Sequence, residues 1–264
     1  MSDALLLERS GKVLTLRLNR PDVRNAFDAA LIARLTEALQ QIGADPKVKV
    51  VVLAGAGAAF SAGADLQWMR SMASASEAEN LADALALAQL MRTLDELPKP
   101  TVARVHGATF GGAVGLVACC DIAVASTDAR FGLSESRLGL LPAVISPYVI
   151  AAIGARQARR WFATAEIFDA GMAQSLGLLH QLVAADQLDI AVQRQIRLLL
   201  SAAPQAASSA KALVRSMLPY CERDAIDAAN AALIARLRVS PEGQEGLSAF
   251  LDKRPPAWAS EESA

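Results

Sequence analysis

Aromatic residues are scarce: Phe, Trp and Tyr together make up 5 % of the 264-residue chain. The core must therefore be built mainly from Ala, Leu, Val and Ile. Cysteine is rarer still, with three residues, Cys119, Cys120 and Cys221. An odd number with an adjacent pair suits neither a disulfide framework nor a zinc spacing, so reduced, buried thiols are expected. Neither sign of charge dominates, because 26 Lys and Arg face 27 Asp and Glu. The pI is near 6.2, whereas a dedicated nucleic-acid binder is usually basic, so no nucleic-acid partner is expected. No run reaches the ~18 consecutive apolar residues of a membrane span. The opening MSDALLLERSG carries Asp3 and only a short apolar run, unlike a secretory signal. These absences predict a cytoplasmic protein with no membrane partner.

Apolar residues at 53 % and charged residues at 20 % exclude a disordered chain. The length suffices for a sizeable core without disulfide or metal staples. Short β-branched or apolar runs at 13–18, 49–54, 101–105 and 122–125 read as strands. Helical patterns cover 29–42, 77–97, 112–119 and 156–164, and Pro21, Pro46, Pro98 and Pro100 punctuate the joints. This alternation predicts an α/β fold. From about residue 201 the chain turns rich in Ala and Ser, and Ile226, Ala229, Leu233 and Leu237 recur at helical spacing. The division is a core over 1–200 and a helical C-terminal section over 201–264, packed on that core or on a neighbour.

The glycine-rich stretch GAGAAF at 55–60 begins like a dinucleotide fingerprint, with Glu77 near the distance of its acidic partner. The last fingerprint position must be small so that a helix can pack on the strand, and Phe60 is too bulky. There is no Gly-x-x-x-x-Gly-Lys-Ser/Thr run and no Gly-x-Ser-x-Gly elbow. The stretch FSAGADL at 60–66 says more, because small residues let backbone amides approach a ligand. A second small-residue turn, HGATFGGA at 106–113, leads into a helix near Gly112, where free N–H groups favour negative charge. Together the two turns can offer two donors to one developing oxyanion. On spacing alone, both are equally well plain strand–helix turns. Among other polar residues, His106 reads as a structural donor rather than a base, and His180 as strand or surface. Asp121 is expected to orient a turn, while Tyr148 and Arg137 are candidates for a pocket wall.

In order along the chain stand NRPDVRNAF, FSAGADL, KPTVARVHG, FGG, ACCDIAVAS, ARFGLSESRLGLLPAV, AIGARQARRWFATAEIFDAGMAQSLGLLHQLV and EGLSAFLDKR. This ordered set resembles the enoyl-CoA hydratase/isomerase (crotonase) superfamily over nearly the whole length. GLVACCDIAVA and PAVISPYV are similar to its bacterial methylglutaconyl-CoA hydratase-like branch. The resemblance implies a crotonase-like ββα spiral core with a helical C-terminal trimerisation section, assembled as a homotrimer or homohexamer. It implies an acyl-CoA substrate, hydrated through an oxyanion-stabilised enolate, with no metal and no cofactor beyond the coenzyme A of the substrate. Branched or carboxylated enoyl-CoAs are the expected substrates.

By position, Ala64 and Gly112 match the family's oxyanion amides, and Glu135 matches the carboxyl that delivers a proton to the α-carbon. Ala62, Asp65, Leu66 and Gln67 are implied to lie along the CoA, as are Arg24, Phe250 and Lys253. One departure stands out. The position of the family's other glutamate, the one that activates water, holds Gly115, which leaves its space open for substrate, and Ala113 breaks the glycine run. With one carboxyl, the alternatives are an isomerase using Glu135 as single base, or an inactive CoA-binding homologue.

Overall fold

The structure, a computed structural model, describes residues 3–217 and 223–259. Cys221 lies outside the described residues. The strands are β1 (Leu5–Ser10), β2 (Val13–Leu18), β3 (Val50–Gly55), β4 (Ala59–Ser61), β5 (Thr101–Val105), β6 (Ala108–Phe110), β7 (Ile122–Ser126), β8 (Arg130–Gly132), β9 (Ile167–Asp169) and β10 (Gln181–Val183). The α-helices are α1 (Ala29–Ala44), α2 (Leu66–Ala73), α3 (Glu77–Asp95), α4 (Gly112–Cys119), α5 (Ser146–Ile153), α6 (Ala155–Thr164), α7 (Ala170–Ser175), α8 (Leu188–Ser201), α9 (Pro204–Met217), α10 (Arg223–Val239) and α11 (Pro241–Leu251).

Strand β3 shows how the sequence places the sheet. All six of its residues are buried, as expected of a strand covered on both faces. Alternation sends Val51 and Leu53 into the main core with Leu35, Leu39 and Leu90, while Val50 and Val52 meet Val192 and Ile196 of α8. A six-stranded sheet runs in the order β1-β2-β3-β5-β7-β10, parallel except for the β1–β2 hairpin. A second sheet has the order β4-β6-β8-β9. Three long strands are each followed closely by a short one in the other sheet and then by a helical segment: β3–β4–α2, β5–β6–α4, and β7–β8 before a 3-10 turn at Ser134–Leu138. This repeat is the α/β spiral of ββα turns. The GAGAAF stretch runs from β3 into β4, where Phe60 is fully buried. A strand follows it, not the helix a dinucleotide site needs.

The loop before α1 is tied to this spiral by Asn25. Its side chain is fully buried, and its Nδ2 donates to the carbonyls of Ala56 (2.8 Å) and Ala59 (2.8 Å). Its Oδ1 accepts from Arg20 N at 2.9 Å. Arg24 and Asn25 both hold positive φ, 52° and 56°, a conformation that Asn tolerates better than most residues.

The C-terminal helices complete the core. Helix α10 lies along α3, burying Ala231, Ile234 and Ala235. Arg92 Nη2 meets Asp227 at 2.6 Å and Arg238 Nη1 meets Asp83 at 2.9 Å. The expected stripe occupies a different face of α10: Ile226, Leu233 and Leu237 are half-buried and Ala229 is exposed. Cys119 and Cys120 are buried as expected, and desolvation pushes the Cys120 thiol up to about 12. Among the described residues, no helix is long and apolar enough to cross a membrane.

Asn25→Ala should lower stability by about 2–4 kcal/mol, because it strips buried carbonyls of their donor and puts Ala at positive φ. Urea unfolding measures this; a loss below 1 kcal/mol, roughly one ordinary hydrogen bond, would show that the loop is held by other contacts.

Candidate active site

Two glycines bring the two turns together. Gly63 has φ +89°, and a Cβ there would lie 2.9 Å from Phe110 O. Gly111 has φ 53° and ψ −123°, a region open essentially to glycine alone. On the first turn, Phe27 N donates to Gly63 O (2.7 Å) and Asp65 N donates to Phe27 O (2.7 Å). Ala64 sits between them, so its own N–H turns away from Phe27, and Ala64 lines the cavity. On the second turn, the Gly111 N–H is spent on Gly132 O at 2.9 Å. The next N–H, that of Gly112, stands at the first position of α4 and has no intrahelical acceptor. The pair expected as oxyanion donors thus lines one cavity.

Glu135 stands beside them on the 3-10 turn. Its Oε1 would lie 3.2 Å from a Cβ at Gly111, so the glycine also makes room for the carboxyl. Its Oε2 is buried without a hydrogen-bond partner. Desolvation pushes its pKa up to about 7, only partly offset by its own backbone N–H. A buried polar atom left without a partner is uncommon and calls for an explanation such as catalysis.

The cavity walls are otherwise largely apolar, including Leu140, Leu141, Val144 and Ile145. Ala62 and Phe250 line it as expected. Leu66 and Gln67 lie just beyond it at the exposed start of α2, and Arg24 and Lys253 are exposed and do not line it. Two expectations need correction. Asp65 is not available to substrate: its Oδ1 caps α2 through Gln67 N (2.8 Å) and its Oδ2 pairs with Arg20 (2.9 Å). Gly115 does not leave open space: a Cβ there would lie 2.3 Å from Ile145 Cγ2 and 3.3 Å from Met91 Cε. Ile145, from the PAVISPYV run, packs on Gly115 and presents an apolar wall where the expected glutamate would project.

The remaining polar residues have structural roles. His106 Nε2 donates to Gly57 O at 2.8 Å, and its Nδ1 faces Arg104 Nη1 at 3.3 Å. His180 Nδ1 accepts from Ala123 N at 3.0 Å. Asp121 accepts from Thr101 N at 2.8 Å and Lys211 at 2.9 Å. Tyr148 and Arg137, candidates for the wall, do not line the cavity. Sequence reasoning missed Trp68, Ile145 and Arg238, which do. Only the unusual PAVISPYV hinted at Ile145; Arg238 carries no local signal.

Two backbone amides line one cavity beside a carboxyl poised near neutrality, an arrangement with the groups needed to hold an enolate oxygen and move a proton next to it. Comparison with known proteins agrees. Residues 8–261 match the family described as Enoyl-CoA hydratase/isomerase. The chain is 34 % identical to the 2,3-dehydroadipyl-CoA hydratase of Escherichia coli, over 96 % of this chain and 97 % of that one. It is 46 % identical to the crystal structure of an enoyl-CoA hydratase from Shewanella pealeana, covering 97 % and 96 % of the two chains with a TM-score of 0.80. A second crystal structure, an enoyl-CoA hydratase from Mycobacterium avium, shares 36 % identity and a TM-score of 0.86, covering 98 % and 100 %. The chain belongs to the enoyl-CoA hydratase/isomerase family.

Gly115→Ala should cost about 1–3 kcal/mol, the usual penalty of overpacking. Adding Ile145→Ala should return part of that loss, a coupling that a double-mutant cycle reads directly. Strict additivity would show that the two side chains do not share the space.

Glu135 carries a further consequence. Its carboxyl is raised from 4.5 to about 7, so the folded state holds a proton that the unfolded state releases between these values. Stability falls as pH rises through that window, by as much as about 3 kcal/mol. Glu135→Gln should escape the loss: equal to the parent near pH 4, more stable at pH 8. Parallel melting curves across this range would refute the buried-carboxyl account.

Proposed function

We propose that this protein is an enoyl-CoA hydratase, adding water across the α,β double bond of a branched or carboxylated acyl-CoA thioester. The observation that carries this reading is the unpartnered, buried Glu135 carboxyl set against the Gly111–Gly112 turn. The Ala64 and Gly112 amides hold the thioester oxygen as negative charge develops on it. Because Ile145 occupies the place of a second carboxylate, Glu135 serves both halves of the addition. Ionised Glu135 takes a proton from water while the water oxygen bonds to the β-carbon. The electron pair of the double bond moves toward the thioester oxygen, and Glu135 then returns the proton to the α-carbon. One water is consumed and no electrons are transferred, so the step calls on no redox cofactor. CoA would extend past the exposed start of α2, with Leu66, Gln67, Arg24 and Lys253 near its path.

A single carboxyl also suits a proton shuttle between two carbons, so isomerisation is the second reading. Incubation with a panel of enoyl-CoA thioesters separates the two. Products one water heavier support hydration; unchanged mass with a moved double bond supports isomerisation. For hydration by ionised Glu135, kcat/KM should rise with pH to a plateau above about 7, following the carboxyl raised to that value. A fall through pH 7 would mean that Glu135 acts only as an acid and that another group is the base. Glu135→Gln should lose roughly 10²–10⁴-fold in turnover.

The protein is expected in the cytoplasm as a homotrimer or homohexamer. Support comes from the half-buried Ile226, Leu233 and Leu237 on α10 and from Leu213, Val214 and Met217 exposed on α9. Light scattering should report three or six subunits; a monomer at micromolar concentration would contradict the assembly.

A further inference from the structure

Arg238 is the one cationic side chain that lines the catalytic cavity among the described residues. It reaches there from α10, and its side chain is only 15 % exposed. Its Nη1 donates to Asn80 Oδ1 at 3.2 Å and to Asp83 Oδ2 at 2.9 Å. Among the described residues, its Nε and Nη2 make no hydrogen bond. These two nitrogens form the edge of a guanidinium that grips both oxygens of a carboxylate. The same molecule shows that use: Arg17 Nε and Nη2 each donate at 2.9 Å to one oxygen of Glu8.

A second donor stands nearby. The Arg238 guanidinium lies 5.9 Å from the centre of the Trp68 ring. Trp68 also lines the cavity, and its Nε1 is buried without a partner. Both residues line a cavity whose walls are largely apolar. Leaving the buried indole N–H unpaired is costly, so an acceptor from the bound acyl group would complete it and could also meet the guanidinium edge. The Asp83 contact does not exclude a second anion. Arg20 holds both Asp28 (3.0 Å) and Asp65 (2.9 Å), and Arg92 holds both Asp224 and Asp227. In this fold an arginine bridging two carboxylates is a recurrent arrangement.

We propose that Arg238 and Trp68 form a subsite for a carboxylate at the far end of the acyl chain, so that the substrates are enedioyl-CoA thioesters. The proposal rests on the hydratase reading and narrows its substrate class to the carboxylated one. A terminal methyl in the same place would leave the guanidinium edge and the indole N–H desolvated and unpaired. Discrimination against an analogue that lacks the expected polar group is typically strong for this reason.

The test compares trans-2-enedioyl-CoAs of five to eight carbons with trans-2-enoyl-CoAs of equal length. At the best length, the parent should favour the carboxylated substrate by at least about tenfold in kcat/KM. Arg238→Lys keeps a cation for Asp83 but loses the two-nitrogen edge, and Trp68→Phe removes only the indole N–H. Each variant should reduce the preference severalfold or more, with unchanged circular dichroism and oligomer size. Calorimetric binding of adipoyl-CoA against hexanoyl-CoA gives a readout without turnover and should follow the same order. Equal or better use of the uncarboxylated series at every length would overturn the proposal, as would a preference unchanged in both variants. If neither series is hydrated while adipoyl-CoA still binds more tightly, the subsite stands and the hydratase reading falls.

Discussion

The approach of Gly63 to the carbonyl of Phe110 is the constraint on which the site depends. A single added carbon at Gly63 would come within 2.9 Å of that oxygen, so any side chain there would force the two turns apart. Under the proposed function, their contact converts two local features, each an ordinary strand–helix turn, into one electrostatic device. An N–H dipole stabilises an oxyanion only if it is already aimed, because reorganising it during the reaction would forfeit the gain. The spiral supplies that fixed aim: the turn after β4 is held by its bridge to Phe27, and the turn after β6 by the Gly111–Gly132 hydrogen bond. Asn25 secures the segment that leads into the first of them by taking up the carbonyls at the β3–β4 turn.

The apolar setting of Glu135 is the second half of the design. Desolvation brings its carboxyl to about 7, where both protonation states are accessible at neutral pH. That is the condition for one group to take and return a proton in a single turnover. Replacing a second carboxylate by the Gly115–Ile145 contact removes a like charge, which would otherwise push the Glu135 pKa further upward. Size is exchanged between two elements: α4 gives up a side chain, and the residue before α5 fills the space. The result is a drier pocket whose polar groups are few and placed at defined points.

Much of this was legible in the residues. The β-branched runs set β2, β3, β5 and β7 to within a residue or two, because buried parallel strands have a composition of their own. The short strands β4, β6 and β8 escaped notice, since three residues hold too little periodicity to register. Ala64, Gly112 and Glu135 could be named only by their positions in the ordered motif set, and the fold brings all three to one cavity. Gly115 was misjudged for the opposite reason. A missing side chain looks like open space until the partner, thirty positions on at Ile145, is seen to fill it. Asp65 was misjudged because its ion-pair partner, Arg20, is distant in sequence and brought in by the fold, while its other oxygen serves a local cap. Arg238 could not be found at all, because nothing in its neighbourhood in sequence distinguishes it from a solvated helix residue.

The central claim is that Gly63 holds two amides in register to polarise a thioester carbonyl. Difference vibrational spectroscopy of a bound, saturated acyl-CoA tests it without any reaction. The C=O stretch should move to lower frequency than in water for the parent and for Glu135→Gln, whose amides are intact. In a folded Gly63→Ala protein that still binds the thioester, the shift should largely disappear. An unshifted stretch in the parent, or an undiminished shift in Gly63→Ala, would contradict the account.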